Sequence, residues 1–178
     1  HGWQEGIEAD GKDACLKAVR TQLRSGVDLI KIMATGGVMT EGVEPGNAQF
    51  TVDEMKVMIE EAHKAGRKTA THAQGLQGIK NALYAGIDSI EHGCFLDDEC
   101  LERMKEQNTF LVPTLCAPQC IIDKGAENGV AKYAVDKTLK VKDAHVESVK
   151  KAYEKGIQIA LGTDCLLYTS PAHETRHD

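Results

Sequence analysis

Apolar positions recur at helical spacing between Asp13 and Ser25, where Ala14, Leu16, Ala18, Val19 and Leu23 form one face. Ser25-Gly26 ends that helix, and the β-branched run Val27–Met33 reads as a buried strand stopped by Thr35-Gly36-Gly37. Residues 35–50 hold four glycines and Pro45 and read as a long loop. Thr51 with Glu54 three residues on is a capping box opening a helix that runs to Ala65-Gly66. The alternation then repeats. Lys68–His72 is a strand, Leu76–Ala85 a helix, Ile87–Glu91 a strand, Asp97–Gln107 a helix and Thr109–Thr114 a strand. A polar helical stretch over about 119–155, broken at Gly125–Gly129, leads through Gly156 into the last strand, Ile157–Leu161. Four helix-to-strand junctions carry glycine, which suits a helix end needing a left-handed residue.

Five strands alternating with helices imply parallel strands joined by right-handed crossovers. The pattern fits an α/β fold, either an open doubly wound sheet or part of a (β/α)8 TIM barrel. No G-x-G-x-x-G follows a strand, so a dinucleotide site has no support. A net charge of −6 argues against nucleic acid as a partner, because such affinity comes from neutralising phosphates. No apolar run approaches the ~20 residues of a membrane span. The six cysteines show no C-x-x-C spacing and read as free thiols.

The strand ends carry the chemistry. The first strand contains Lys31, the second ends in His72, the third is followed by His92 and the last by Asp164. The carboxyl ends of parallel strands are where α/β folds place their sites. Singly, each residue has a structural explanation: a lysine snorkelling to the strand end, two core histidines with satisfied hydrogen bonds, and a helix-capping aspartate. Together, at successive strands, they point to a metal site, since imidazoles suit zinc and a carboxylate can both bind metal and accept a proton. Lys31, between Ile30 and Ile32, is expected to be buried and therefore paired, neutral or modified.

Lys31-Ile32-Met33-Ala34-Thr35-Gly36-Gly37, Thr71-His72-Ala73, Ile90-Glu91-His92-Gly93 and Leu161-Gly162-Thr163-Asp164 resemble the amidohydrolase superfamily. The nearest branch is imidazolonepropionase-like and Xaa-Pro dipeptidase-like, with Gln49-Phe50-Thr51 and Glu61-Ala62-His63-Lys64-Ala65-Gly66 fitting as well. The resemblance covers residues 8–164 and implies barrel strands four to eight. It implies that Lys31 is a carboxylated lysine bridging two ions, that His72 and His92 are metal ligands, and that Asp164 is both metal ligand and general base. It also implies divalent metal, zinc as a pair of ions, and hydrolysis of an amide or peptide C–N bond in a dipeptide or N-acyl amino acid-like substrate. The alternatives are a mononuclear-metal deaminase of the same superfamily and a non-catalytic half-barrel. The His-x-His pair that the family carries on its first strand has no counterpart in this sequence.

The division is therefore residues 1–164 as a partial barrel and 165–178 as a tail outside the family pattern. His173-Glu174-Thr175-Arg176-His177 in that tail matches H-E-x-x-H, but Pro171 before it and the lack of an apolar face argue against the helix this motif needs. His63 and His145 read as surface residues on polar helix faces, and Cys116 and Cys120 as idle thiols. An open barrel would leave Val27–Met33 as an edge strand, so association into homo-oligomers is expected.

Overall fold

A computed structural model describes residues 6–164. Helix α1 (Lys12–Arg24) precedes strand β1 (Leu29–Met33), and α2 (Val52–Lys64) leads to β2 (Lys68–Ala73). Next come α3 (Leu76–Ala85), β3 (Ser89–His92), α4 (Asp98–Gln107) and β4 (Phe110–Val112). The chain closes with α5 (Cys116–Lys124), a 3₁₀ turn at Ala126–Asn128 and the 23-residue α6 (Lys132–Glu154). The strands form one parallel sheet in the order β1-β2-β3-β4, as expected of part of a (β/α)8 barrel.

The expected fifth strand is reduced to one parallel bridge, Ile159 to Leu111. Leu111 donates to the Gln158 carbonyl and accepts from Ala160, each at 2.9 Å, and no ladder extends further. The preceding strand is only three residues long, which limits the length of chain it can pair. The break in the long helical stretch falls where Gly125 and Gly129 both take positive φ.

Register fixes two faces. Ile30 and Ile32 of β1, Ala73 of β2, Ile90 of β3 and Leu111 of β4 turn to one side, into a core with Met55, Ile59, Ile79, Leu83, Leu101 and Met104 of α2, α3 and α4. Each isoleucine, leucine and methionine side chain among them stabilises the fold by about 1.5–3 kcal/mol through burial. Leu29, Lys31 and Met33, with Ala70, His72, Glu91 and Val112, fall on the other face by the same alternation. Leu29 and Phe110 on that face are 46% and 43% exposed while Ala70 and His72 are buried, so it forms a cup that is uncovered in part. β1 is an edge of the sheet, as expected.

The capping box is present. Thr51 Oγ1 accepts from the Glu54 amide at 3.3 Å, and the Glu54 carboxylate accepts from the Thr51 amide at 2.9 Å. A second, smaller core of Val38, Ile121, Val130, Ala134 and Val141 joins α5 and α6 to the loop after β1. Cys15, Cys94, Cys100, Cys116 and Cys120 are free thiols. Cys165, the tail and its H-E-x-x-H sequence lie outside the described residues.

Candidate metal centre

His72 stands near the carboxyl end of β2, 7% exposed, on the cup face. Its Nε2 lies 3.1 Å from the carbonyl of Gly36, in the loop after β1. A carbonyl only accepts, so Nε2 carries the proton and the ring lone pair is on Nδ1. The same carbonyl accepts from the Thr35 hydroxyl at 2.8 Å, and Thr35 Oγ1 in turn accepts from the Gln74 amide at 3.0 Å. The loop is thereby tied to the end of β2. Tight packing explains its glycine: a Cβ on Gly36 would fall 2.3 Å from Val43 Cγ1.

His92 poses a geometric problem, because it follows Ile90 by two residues and strand alternation assigns it to the helix-covered face. Its φ of +70° breaks the alternation. The ring instead meets that of His72, with centroids 4.7 Å apart and planes at 70°. His92 Nδ1 hydrogen-bonds with Thr114 Oγ1 at 2.7 Å, and Thr114 itself has φ +50°. Asp164 has φ +53°. Three of the four non-glycine residues with positive φ among the described residues therefore belong to this region. Such strain persists only where the surroundings enforce it and tends to collect at functional sites.

Burial holds both imidazoles neutral. It lowers the His72 pKa to about 4, with the Gly36 hydrogen bond opposing and the Lys31 charge assisting. The His92 pKa falls well below its ordinary value, first from burial and then because a proton there would face those competing for His72, Lys31 and His145. Lys31, expected to be buried, reaches solvent along the uncovered cup, while its neighbours Ile30 and Ile32 are buried on the opposite face. The concave surroundings still desolvate its amine and lower its pKa, against the pull of Glu91 and Asp164. Asp164, also in contact with solvent, has its pKa raised by desolvation and lowered in part by Lys31. Lys31 and Asp164 thus act on each other's charge.

These donors suit a divalent cation: two neutral imidazoles, the lone pair of one oriented by a backbone carbonyl, beside an amine and a carboxylate of opposite charge. The full set is not gathered. Among the described residues no three His, Cys, Asp or Glu side chains converge closely enough to hold an ion as they stand.

His145 is not a surface residue. It is 2% exposed on α6, and its Nε2 donates to the His92 carbonyl at 2.9 Å. Burial lowers its pKa, while the backbone acceptors of His92 and Pro113 offset this in part. A readable signal was present: Ala134, Val141 and Ser148, with Thr138, His145 and Ala152, make two buried rows at seven-residue spacing. His63 is exposed, as expected, and pairs with Asp88 at the opposite, amino-terminal end of the strands.

The parallel sheet, with histidines at the ends of two consecutive strands, has the form of part of a (β/α)8 hydrolase barrel. The amidohydrolase family pattern matches residues 3–177, and the chain belongs to the amidohydrolase family. It is 38% identical to ochratoxinase of Aspergillus niger over 156 residues, which is 88% of this chain and 32% of that protein. The solved structure of that ochratoxinase superposes with a TM-score of 0.79 at 37% identity, covering 88% of this chain and 35% of that one. A Xaa-Pro dipeptidase with methionine bound in its active site gives 0.80 at 38% identity, covering 88% and 39%. A prolidase complexed with N-methylphosphonate-L-proline gives 0.83 at 32%, covering 87% and 38%. The chain spans about a third of the length of these relatives.

Proposed function

We propose that this chain supplies metal ligands and the general base for hydrolysis of an amide or peptide C–N bond. The substrate class is a dipeptide or N-acyl amino acid. The observation that carries the reading is the meeting of His72 and His92 against the alternation of their strands, through a strained backbone at His92. The methionine and phosphonate-proline bound by the two relatives support an amino acid as the substrate's leaving half.

His72 and His92 would hold a divalent cation through ring nitrogens whose orientation is set by Gly36 and Thr114. Lys31 would be a further ligand. Its lowered pKa favours the neutral amine, which attacks carbon dioxide and loses a proton to give an anionic carbamate. Asp164, with its raised pKa, accepts a proton from the attacking water and returns it to the departing nitrogen. Divalent metal, zinc by the donor set, would polarise the scissile carbonyl and acidify water. Lys31 facing the same cup as Asp164 favours the two-ion hydrolase over a one-ion deaminase.

The test is zinc titration of the purified chain by calorimetry. Uptake at a defined stoichiometry, lost in the double variant His72→Ala/His92→Ala and kept in His63→Ala, is the expected result. A wild-type chain that takes up no zinc, or loses none in the double variant, would overturn the assignment.

A further inference from the structure

Helix α6 presents polar side chains to the loop that contacts His72 and to the turn that begins at His92. Lys137 is 8% exposed, and its Nζ donates to the carbonyl of Thr40 at 2.7 Å and to that of Val43. One turn earlier, the Tyr133 hydroxyl donates to the Met39 carbonyl at 3.1 Å. These three carbonyls belong to the loop after β1, whose Gly36 fixes the proton on His72. Val43, one of Lys137's acceptors, is also the residue packed where a Gly36 side chain would stand. Two turns further along α6, about 12 Å away, His145 donates to the carbonyl of His92 itself. Ser148, three residues on, donates to the Cys94 carbonyl at 2.8 Å and accepts from the Leu96 amide at 3.0 Å.

Burying a lysine and a histidine on one helix costs free energy unless their donors are used. Here both are spent on backbone carbonyls, Lys137 on the loop that contacts His72 and His145 on His92 itself, whereas the positions around them are filled by Ala134, Thr138 and Val141. We propose that Lys137 and His145 are positioning residues for the two imidazoles: Lys137 sets His72 through the loop, and His145 sets His92 by holding its strained backbone. The inference rests on His72 and His92 being ligands of a cation. One rigid helix then fixes the angle between two ligands that arrive from different strands.

The experiment uses the 178-residue chain labelled with ¹⁵N at histidine. Long-range proton–nitrogen correlation spectra of the metal-free protein read the tautomer and environment of each ring, and zinc titration reads affinity. Lys137→Met is expected to move the His72 signals away from the Nε2–H tautomer, and His145→Leu to shift or double those of His92. Each should weaken zinc binding about tenfold or more, as loss of a ligand-orienting partner commonly does. Thr138→Ala is the control. Thr138 is buried on the same helix and donates only within it, to Ala134 at 2.7 Å, so its loss should lower the melting temperature and leave ring signals and zinc affinity alone. Should an apolar variant fail to fold, Lys137→Arg against Lys137→Gln and His145→Gln against His145→Asn give the same comparison with side chains of graded reach. Only the first of each pair is expected to preserve the wild-type signals. Unchanged ring signals in Lys137→Met and His145→Leu, identical behaviour within both graded pairs, or an equal shift in Thr138→Ala would each overturn the proposal. If the wild-type chain takes up no zinc, the metal reading falls while the ring signals still decide the positioning role.

Discussion

His72 and His92 meet edge to face, 4.7 Å apart, although the alternation of adjacent parallel strands assigns their side chains to opposite faces. The contact exists because His92 takes a left-handed backbone at the last position of β3.

Gly93 shares that left-handed turn, with φ +64°, and a Cβ there would lie 2.7 Å from Leu111 Cδ1. Gly93→Ala should therefore push on the core and on the turn together. The expected cost is about 1–3 kcal/mol, seen as a lower denaturation midpoint. The His92 ring signals should move with it; a melt and spectra identical to wild type would show that the turn is not under constraint.

The His72 pKa is about 4, so its imidazole should stay neutral through mildly acid solution. A folded pKa below the unfolded value means that stability declines as pH falls from about 6.5, where the unfolded ring begins to take a proton, toward 4. Proton NMR of the metal-free chain should show no titration of His72 above pH 5. A midpoint near 6.5 would mean that the ring is solvated.

Asp88 stabilises the opposite end of the strands. Burial alone would raise its pKa, but hydrogen bonds from Lys68, His63 and the hydroxyl and amide of Thr69 bring it down to about 2. With its folded pKa depressed, Asp88 contributes stability above about pH 4 and loses it as pH falls toward 2. The contribution is about 1–2 kcal/mol after allowing for the exposure of Lys68. Asp88→Asn should lower stability at pH 7 by that amount and flatten the acid limb of the pH–stability curve.

Catalysis should divide between this chain and a relative of full length. In the longer protein, replacing the lysine that matches Lys31 by alanine should cut turnover by orders of magnitude, with partial rescue by a short carboxylic acid. The Asp164→Asn equivalent should lose turnover and keep some metal. The 178-residue chain by itself should hydrolyse dipeptides immeasurably slowly, because its cup admits water beside Lys31 and weakens every charge interaction there. Turnover matching that of the longer protein would require the roles to be reassigned.

Local signals along the chain were informative where local physics decides. The Thr51–Glu54 capping box and the helix Leu76–Ala85, closed by left-handed Gly86, are governed by their own residues, and both form as read. The direction of His92 was not legible, since the two-residue alternation points the wrong way and only a backbone torsion corrects it. Lys31 misled for a related reason: its apolar neighbours face the helices, while the cup on its own side stays open. His145 belongs to a seven-residue row that the sequence does carry, but charged neighbours such as Lys142 and Asp143 make the helix read as polar on every side.

Helix α6, about 34 Å long, couples the histidine pair to a core of only five buried apolar side chains. The sheet rests on a much larger one. The two should open as separate cooperative units, the smaller at lower free energy. Amide exchange in residues 37–44 and in the first half of α6 should then proceed together, ahead of β1–β3. Warming would dissolve the geometry of the imidazoles while the sheet is still intact, so that loss of ligand geometry and loss of fold become two events at two temperatures.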